Sequence, residues 1–272
     1  MIASGLKKIY PGREALTARN IAVLALALLY AVMWVGGVST YLLEGGPPPG
    51  REWAAPLFLF CAGLLTLLTA GRRELPAMLA VAGAGFAAEV IGSRYGFIFG
   101  EYRYTETLSP SVLGVPVAMT CAWLVLVVYI NRMLAASGLA ARAEVLLSAL
   151  WMTAIDLVID PLASGPLNYW LWKDSGIYYG VPAHNFIGWL AVSLLIFLLL
   201  HALPGPGRQP NRWAPCIGLS IVMFFTLIAL SVGFFLAAGV GAVLCAIHVS
   251  ISARRFAGKS NRDIAAMRQD VL

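Results

Sequence analysis

The sequence predicts an all-α, polytopic integral membrane protein with about eight transmembrane helices. Of its 272 residues, 60% are hydrophobic and only 12% are charged, whereas soluble globular domains are roughly 25% charged. A helix needs roughly 20 predominantly apolar residues to cross the hydrocarbon core of a bilayer, and the chain contains several such runs. They leave no room for a separate soluble domain, so we predict a single transmembrane domain over residues 1–272.

The first and last apolar runs need separate arguments. The first follows a basic segment and is longer than the core of a cleavable secretory signal, which has about 7–15 residues, so we expect an uncleaved first helix. The last stretch of about 40 residues would measure near 60 Å as one helix, twice a bilayer core. We therefore expect a turn near residues 231–233, with seven spans and one long bent helix as the alternative. The predicted spans are 21–43, 53–70, 75–99, 113–134, 139–162, 181–203, 213–230 and 232–251.

Positive charges collect on one side of these spans. Lys and Arg are in excess in the cytoplasmic loops of membrane proteins, which predicts a multi-pass protein of the cell (plasma or inner) membrane with both termini cytoplasmic. The same distribution accounts for the net charge of +6 without a nucleic-acid partner. The four cysteines lie far apart in apolar segments, so we predict neither a disulfide framework nor a metal site. Only four of the 19 basic residues fall on the outer side, namely Arg51, Arg94, Arg103 and Lys173.

The middle of the chain contains what looks like a duplication. Gly114-Val115-Pro116 is followed by Trp123, and Gly180-Val181-Pro182 is followed by Trp189 at the same offset. Each motif opens a predicted helix, where proline is tolerated in the first turn. Each also follows an aromatic loop and a helix that carries an acid, Glu89 or Asp156. We predict an internal repeat of helix pairs, spans 3–4 and 5–6, about an axis along the membrane normal; a chance match is the alternative.

The ionisable residues inside the predicted spans are few. Such residues are costly in a membrane and are functional candidates by default; here they are Glu89, Arg94, Asp156 and Asp160. Asp156 and Asp160 are four residues apart and so share one helix face. Pro161 disfavours helical geometry at Asp160 and is expected to end the helix there. The structural alternative is that Glu89 or Asp156 pairs with Arg94 or caps polar backbone.

The two loops that follow the acid-bearing helices are rich in aromatic residues. An interfacial belt of Trp and Tyr explains some of them but not their concentration, because the outer loop before the second span has only Tyr41 and Trp53. We therefore predict an aromatic-lined site. Its predicted substrate-binding residues are Arg94, Tyr102, Tyr104, Trp123, Trp170, Trp172, Tyr178, Tyr179, Asn185 and Trp189.

Carboxyl groups beside aromatic faces suit acid-catalysed alkene chemistry. Desolvation favours the protonated form of a carboxyl group, which can then protonate an electron-rich double bond. Aromatic faces stabilise the tertiary cation that forms. A second, ionised carboxylate can take a proton from water as the water adds, or remove one from the cation.

Five pieces of sequence carry a family resemblance when they are taken together. They are Glu89-Val90-Ile91-Gly92, Phe99-Gly100-Glu101-Tyr102-Arg103-Tyr104, Gly114-Val115-Pro116 with Trp123, Asp156-Leu157-Val158-Ile159-Asp160-Pro161, and Tyr178-Tyr179-Gly180-Val181-Pro182 with Asn185-Phe186 and Gly188-Trp189. The combination resembles the membrane carotenoid hydratases of the CruF type, known as carotenoid biosynthesis proteins. It covers residues 89–189, and the first two and last two predicted spans match by hydrophobicity alone.

The resemblance implies a hydro-lyase that adds water across the terminal 1,2 double bond of an acyclic carotenoid end group without a cofactor. The implied partners are a carotenoid, water and membrane lipid. No catalytic assignment carries over from the family, so the roles are hypotheses: Asp156, deeper in the span, is the acid, Asp160 is the base, and Glu89 is an alternate or a proton relay.

Three rival functions remain open at the level of sequence. An acid-catalysed lycopene cyclase shares the protonation step but adds no water. A membrane prenyltransferase has aspartates to which Asp156 and Asp160 are similar in spacing, but it needs a second acidic cluster, where this chain offers only Glu89. A proton-coupled transporter also keeps buried acids between repeats.

Overall fold

The fold is seen in a computed structural model that describes residues 17–46, 50–135, 138–203 and 212–269, with side chains as far as residue 254. These residues form eight α-helices and four short β-strands, which confirms the predicted all-α membrane fold. The helices are α1 (Ala18–Glu44), α2 (Ala54–Leu68), α3 (Leu75–Tyr95), α4 (Ala118–Leu134), α5 (Ala141–Ser164), α6 (Ala183–Ala202), α7 (Trp213–Ser231) and α8 (Phe235–Gln269). The strands are β1 (Tyr102–Tyr104), β2 (Ser111–Val112), β3 (Val115–Pro116) and β4 (Trp170–Trp172).

Six of the eight helices are long and apolar enough to cross a membrane. The other two, α2 and α4, are apolar but have only 15 and 17 residues, below the roughly 20 that a full crossing needs. Helix α4 is shorter than its predicted span because residues 111–116 form the β2–β3 hairpin before it. A turn at Val232 and Gly233 separates α7 from α8, which pack against each other, so the alternative of one long bent helix is wrong.

The predicted end of the fifth helix at Asp160 is also wrong. Helix α5 continues through Pro161 to Ser164. Proline has no N–H, so it leaves the carbonyl four residues earlier without its helical donor. That carbonyl belongs to Leu157, and the Tyr178 hydroxyl donates a hydrogen bond to it at 2.9 Å. Because a neighbouring side chain replaces the missing donor, the helix passes the proline and keeps Asp160 in helical geometry.

The helices of the predicted repeat face each other as two pairs. Helix α3 packs on α4 and α5 on α6, while α3 also contacts α6 and α4 contacts α5. The Trp123 and Trp189 side chains stack between the pairs, with ring centroids 4.4 Å apart and an interplanar angle of 11°. Strand β1 pairs antiparallel with β4, so that Tyr102 lies opposite Trp172 and Tyr104 opposite Trp170. Equivalent parts of the two halves thus meet directly, which supports the repeat.

The end of the first pair that lies opposite Glu89 is fixed by a buried ion pair. The Arg132 guanidinium near the end of α4 binds the Glu74 carboxylate just before α3. Glu74 also accepts a hydrogen bond from the Gly71 backbone N–H at 2.9 Å. Breaking a buried pair by removing one partner leaves an uncompensated charge, so this contact holds α3 and α4 together at the end opposite Glu89.

Close contact between α3 and α4 depends on a glycine. A Cβ atom at Gly85 would lie 2.4 Å from the Cγ atom of Trp123, whereas nothing lies within 4 Å of a Cβ atom at Gly83. We expect Gly85→Ala to lower the free energy of unfolding by about 1–3 kcal/mol through overpacking. Gly83→Ala, on the same helix, is the matched control and should not lower it, since alanine has the higher helix propensity. Thermal unfolding in detergent measures both, and equal melting temperatures would contradict the packing described.

The predicted orientation depends on charges that the structure covers only in part. Lys7, Lys8, Arg13 and Arg208 lie outside the described residues, as do the side chains beyond residue 254. The placement of both termini in the cytoplasm therefore stays a prediction.

Candidate active site

The three predicted acids converge at one end of the helix bundle. Glu89 lies near the end of α3, and Asp156 and Asp160 lie in the last turns of α5. Their exposed fractions are 3%, 3% and 1%, and they are close enough for their charges to interact. The paired strands β1 and β4, which we call the aromatic ribbon (Tyr102–Tyr104 with Trp170–Trp172), supply side chains to the same region.

Glu89 is held by three hydrogen-bond donors. The Tyr102 and Tyr104 hydroxyls donate to its Oε2 atom at 2.6 and 2.7 Å, and the Trp123 indole N–H donates to Oε1 at 2.9 Å. Burial raises the pKa of both tyrosine hydroxyls well above their usual range, so they stay protonated and can donate. An ionised carboxylate only accepts hydrogen bonds, and this set of partners therefore suits one.

Asp156 and Asp160 are joined by a single amide. The Asn185 side-chain nitrogen, in the first turn of α6, donates to Oδ2 of Asp156 at 2.8 Å and also to Oδ2 of Asp160. The Trp170 indole N–H donates to Oδ1 of Asp160 at 2.9 Å. All three polar side chains are buried, so the two carboxyl groups are fixed in position by neighbours from α6 and the aromatic ribbon.

A small pocket lies between Glu89 and Asp160. Its volume is about 20 Å³, enough for about one water molecule, since a site needs at least roughly 10–15 Å³ to hold one. Asp156 does not line it, which differs from the expectation that Asp156 faces the substrate. The Trp172 indole N–H is buried and has no hydrogen-bond partner among the described residues. The lining residues are Glu89, Phe99, Tyr102, Tyr104, Met119, Asp160, Trp170, Trp172, Asn185 and Trp189.

Not every predicted binding residue reaches the pocket. Trp123 lies behind it and positions Glu89. Arg94 is exposed at the end of α3, with its guanidinium 5.9 Å from the centre of the Tyr95 ring, so the predicted alternative of a Glu89–Arg94 pair is not formed. The Tyr178 hydroxyl donates a hydrogen bond to the Leu157 carbonyl instead. Tyr179 stacks on Phe234, with ring centroids 4.4 Å apart.

Two lining residues, Phe99 and Met119, were missed by the sequence reasoning. Phe99 stands in one of the quoted motifs, but its apolar side chain did not mark it as different from its neighbours. Met119 follows Pro116 by three residues, as Asn185 follows Pro182. Aligning the two halves of the repeat residue by residue would have placed Met119 opposite Asn185.

The fold and the site define a multi-pass helical membrane protein with a sheltered, aromatic-walled carboxyl site. Residues 54–248 match the family described as carotenoid biosynthesis protein, and the chain belongs to this family. This confirms the resemblance seen in the motifs.

A curated relative points in the same direction. Bisanhydrobacterioruberin hydratase of Haloarcula japonica is 33% identical over 144 residues. The match covers 50% of this chain and 48% of the relative, so the chain matches about half the length of that protein. No solved structure gives a significant match.

Proposed function

We propose that this protein is a carotenoid hydratase that adds water across the terminal 1,2 double bond of an acyclic carotenoid end group. One observation carries the proposal: two sheltered carboxyl groups, Glu89 and Asp160, border the same water-sized space inside aromatic walls. The family match implies a carotenoid substrate, and the curated relative is named a hydratase.

Asp160 is the proton donor in this proposal. Its O–H proton goes to C2 of the double bond, the π electron pair forms the new C–H bond, and a tertiary cation is left at C1. The Trp172 and Trp189 rings, which line the pocket, stabilise the cation through their π faces. The hydrogen bonds from Trp170 and Asn185 stabilise the carboxylate that Asp160 becomes.

Glu89 is the base that completes the addition. Water in the pocket forms the C–O bond at C1, and Glu89 accepts the proton that this water loses. The donors Tyr102, Tyr104 and Trp123 keep Glu89 ionised until then. Asp160 has given one proton and Glu89 has gained one, so transfer between them restores the site. Since hydration changes no overall oxidation state, the reaction needs no oxidant or reductant.

Asp156 takes a different role from the one expected from its depth in the span. It touches the pocket only through Asn185, which it helps to orient. We therefore assign Asp156 as a positioning residue and Asp160 as the acid. Two ionised carboxylates one helical turn apart would be costly in a membrane, so the pair shares a proton in the resting site.

The product of one incubation separates this function from its rivals. Protein in detergent with lycopene, an acyclic polyene, should give a product heavier by the mass of one water. A cyclase would give an isomer instead. A prenyltransferase would consume a prenyl diphosphate and would lose its activity in a metal chelator. A transporter would form no product and would instead accumulate its substrate in sealed vesicles. Any of these results in place of the hydrated polyene would contradict the proposal.

The membrane placement belongs to the same proposal. We place the chain as a single transmembrane domain in the cell membrane, with both termini cytoplasmic and the carboxyl site towards the outer side. The excess of Lys and Arg at the ends and in the inner connections supports this orientation. A reporter that works only in the cytoplasm should be active when it is fused to the C-terminus. A fusion that is expressed but inactive would show that the orientation is the reverse of the proposed one.

A further inference from the structure

The pocket is too small for the substrate that the proposed function requires. Its volume is about 20 Å³, whereas a cavity that admits benzene measures roughly 150 Å³. A branched isoprenoid end is no smaller than benzene. At least one wall must therefore move before a polyene reaches Glu89 and Asp160.

The aromatic ribbon is the more firmly tied of the two pocket walls that are formed by connections between helices. Its strands are joined along their length. At one end the Lys173 backbone N–H donates to the Glu101 carbonyl at 2.9 Å, and the two side chains form an exposed ion pair at 2.6 Å. At the other end the Thr105 hydroxyl donates to the Asn168 carbonyl at 2.6 Å. Opening the ribbon would break all these contacts together.

The other such wall is a short segment between α3 and β1, residues 97–99, which we call the strap. Gly96 and Gly100 flank it with φ angles of 70° and 94°, a region where glycine moves without strain. Such positions absorb the backbone rotations of a hinge. A side-chain hydrogen bond joins the strap to α6, because the exposed ring nitrogen Nε2 of His184 lies 2.8 Å from the Phe97 carbonyl oxygen. The Phe99 ring also packs against Trp189 of α6, with ring centroids 5.9 Å apart.

Phe99 is the part of the strap that closes the pocket. Its ring is buried and fills the seam between α3 and α6, where two glycines leave room for it. A Cβ atom at Gly92 would lie 2.5 Å from the ring, and one at Gly188 would lie 2.9 Å from it. Swinging the ring out would break its contacts with Tyr102 and Trp189 and open the pocket along this seam.

The surface outside the seam carries large exposed apolar side chains, with Arg94 and His184 beside them. Tyr95, Phe97 and Ile187 are 64%, 63% and 67% exposed. Large exposed apolar side chains at the end of a membrane helix lie against lipid or its interface. A lipid-dissolved polyene would meet this surface directly, whereas the ribbon side carries the charged pair Glu101 and Lys173.

We propose that the seam between α3 and α6 is a lateral entrance for the polyene, and that Phe99 is the residue that an end group must displace to reach the carboxyl site. The proposal rests on the proposed function for the identity of the substrate. An acyclic end is slim enough to pass between two glycine surfaces once the ring has swung aside. Phe99 therefore contributes to the choice of end group as well as to closure.

A reversible lock on the strap tests the entrance. In a variant without its native cysteines, Phe97→Cys and His184→Cys are joined by a flexible cross-linker that a reductant cleaves. We expect the cross-linked strap to lower the hydration rate about tenfold or more, because closure motions gate turnover, and reduction to restore it. The matched control joins Glu101→Cys to Lys173→Cys across the ribbon and should leave the rate unchanged.

The outcomes separate the entrance from the chemistry. Full activity with a locked strap, or loss of activity with a locked ribbon, overturns the entrance. If even the reduced protein does not hydrate the polyene, the proposed function fails instead. The entrance is then tested by polyene binding, measured as quenching of tryptophan fluorescence. We expect no quenching with the locked strap and normal quenching with the locked ribbon. Quenching that persists in the locked strap also overturns it.

Discussion

Asp160→Asn should abolish hydration while the protein stays folded and still binds the polyene. Asp160 is the carboxyl group on α5 that lines the pocket, and a carboxamide cannot donate its proton to an alkene. Proton transfer by a positioned acid contributes typically about 10²–10⁴-fold to a rate, so we expect a loss of that size. Product formation from lycopene measures the rate, and tryptophan quenching measures binding.

Two further substitutions show whether this loss is specific. Glu106→Gln changes an exposed acid outside the pocket and should leave turnover unchanged. Asp156→Asn should lower turnover by less than Asp160→Asn, since Asp156 reaches the pocket only through Asn185. If Asp156→Asn were the more damaging change, the acid assignment would return to Asp156, as its depth in the span first suggested.

The membrane fold could be predicted because it depends on local properties of the chain. Apolar runs of sufficient length specify helices whatever they pack against, and the turn between α7 and α8 followed from the length of one run. The three acids could also be identified from sequence, because ionisable residues are rare inside membrane spans. Both inferences need only the neighbours of a residue along the chain.

The parts that could not be predicted depend on residues far apart in sequence. Helix α5 passes Pro161 because Tyr178 donates to the Leu157 carbonyl, and no local rule anticipates that contact. In the same contact the Tyr178 hydroxyl binds the α5 backbone, although the aromatic side chain suggested a place in the pocket. The pairing of β1 with β4 is likewise non-local, and it decides which tyrosines reach Glu89.

The proposed assignment of acid and base required geometry for a similar reason. Sequence spacing put Asp156 and Asp160 on one helix face, but it did not show which of them borders the pocket. Asp160 lines the pocket, whereas Asp156 is joined to it only through Asn185 on another helix. The donors around Glu89 come from β1 and α4, so its proposed role as an ionised base could not be predicted from the local sequence either.

Glu89→Gln should separate protonation from water addition. In this variant Asp160 can still protonate the double bond, but no carboxylate takes the proton from the attacking water. The cation then loses a proton from C2 to the Asp160 carboxylate, either the added one or the original one, and re-forms the alkene more often than it is captured. We expect hydration to fall by about 10²–10⁴-fold, the usual contribution of a positioned base.

Deuterium labelling makes this uncoupling visible. In D₂O the Asp160 carboxyl group carries deuterium, so each abortive protonation by the Glu89→Gln variant can leave deuterium at C2 of the recovered polyene. Mass spectrometry should therefore find labelled substrate with Glu89→Gln and none with Asp160→Asn, where the cation never forms. The opposite pattern, label with Asp160→Asn and none with Glu89→Gln, would exchange the two roles and make Glu89 the acid.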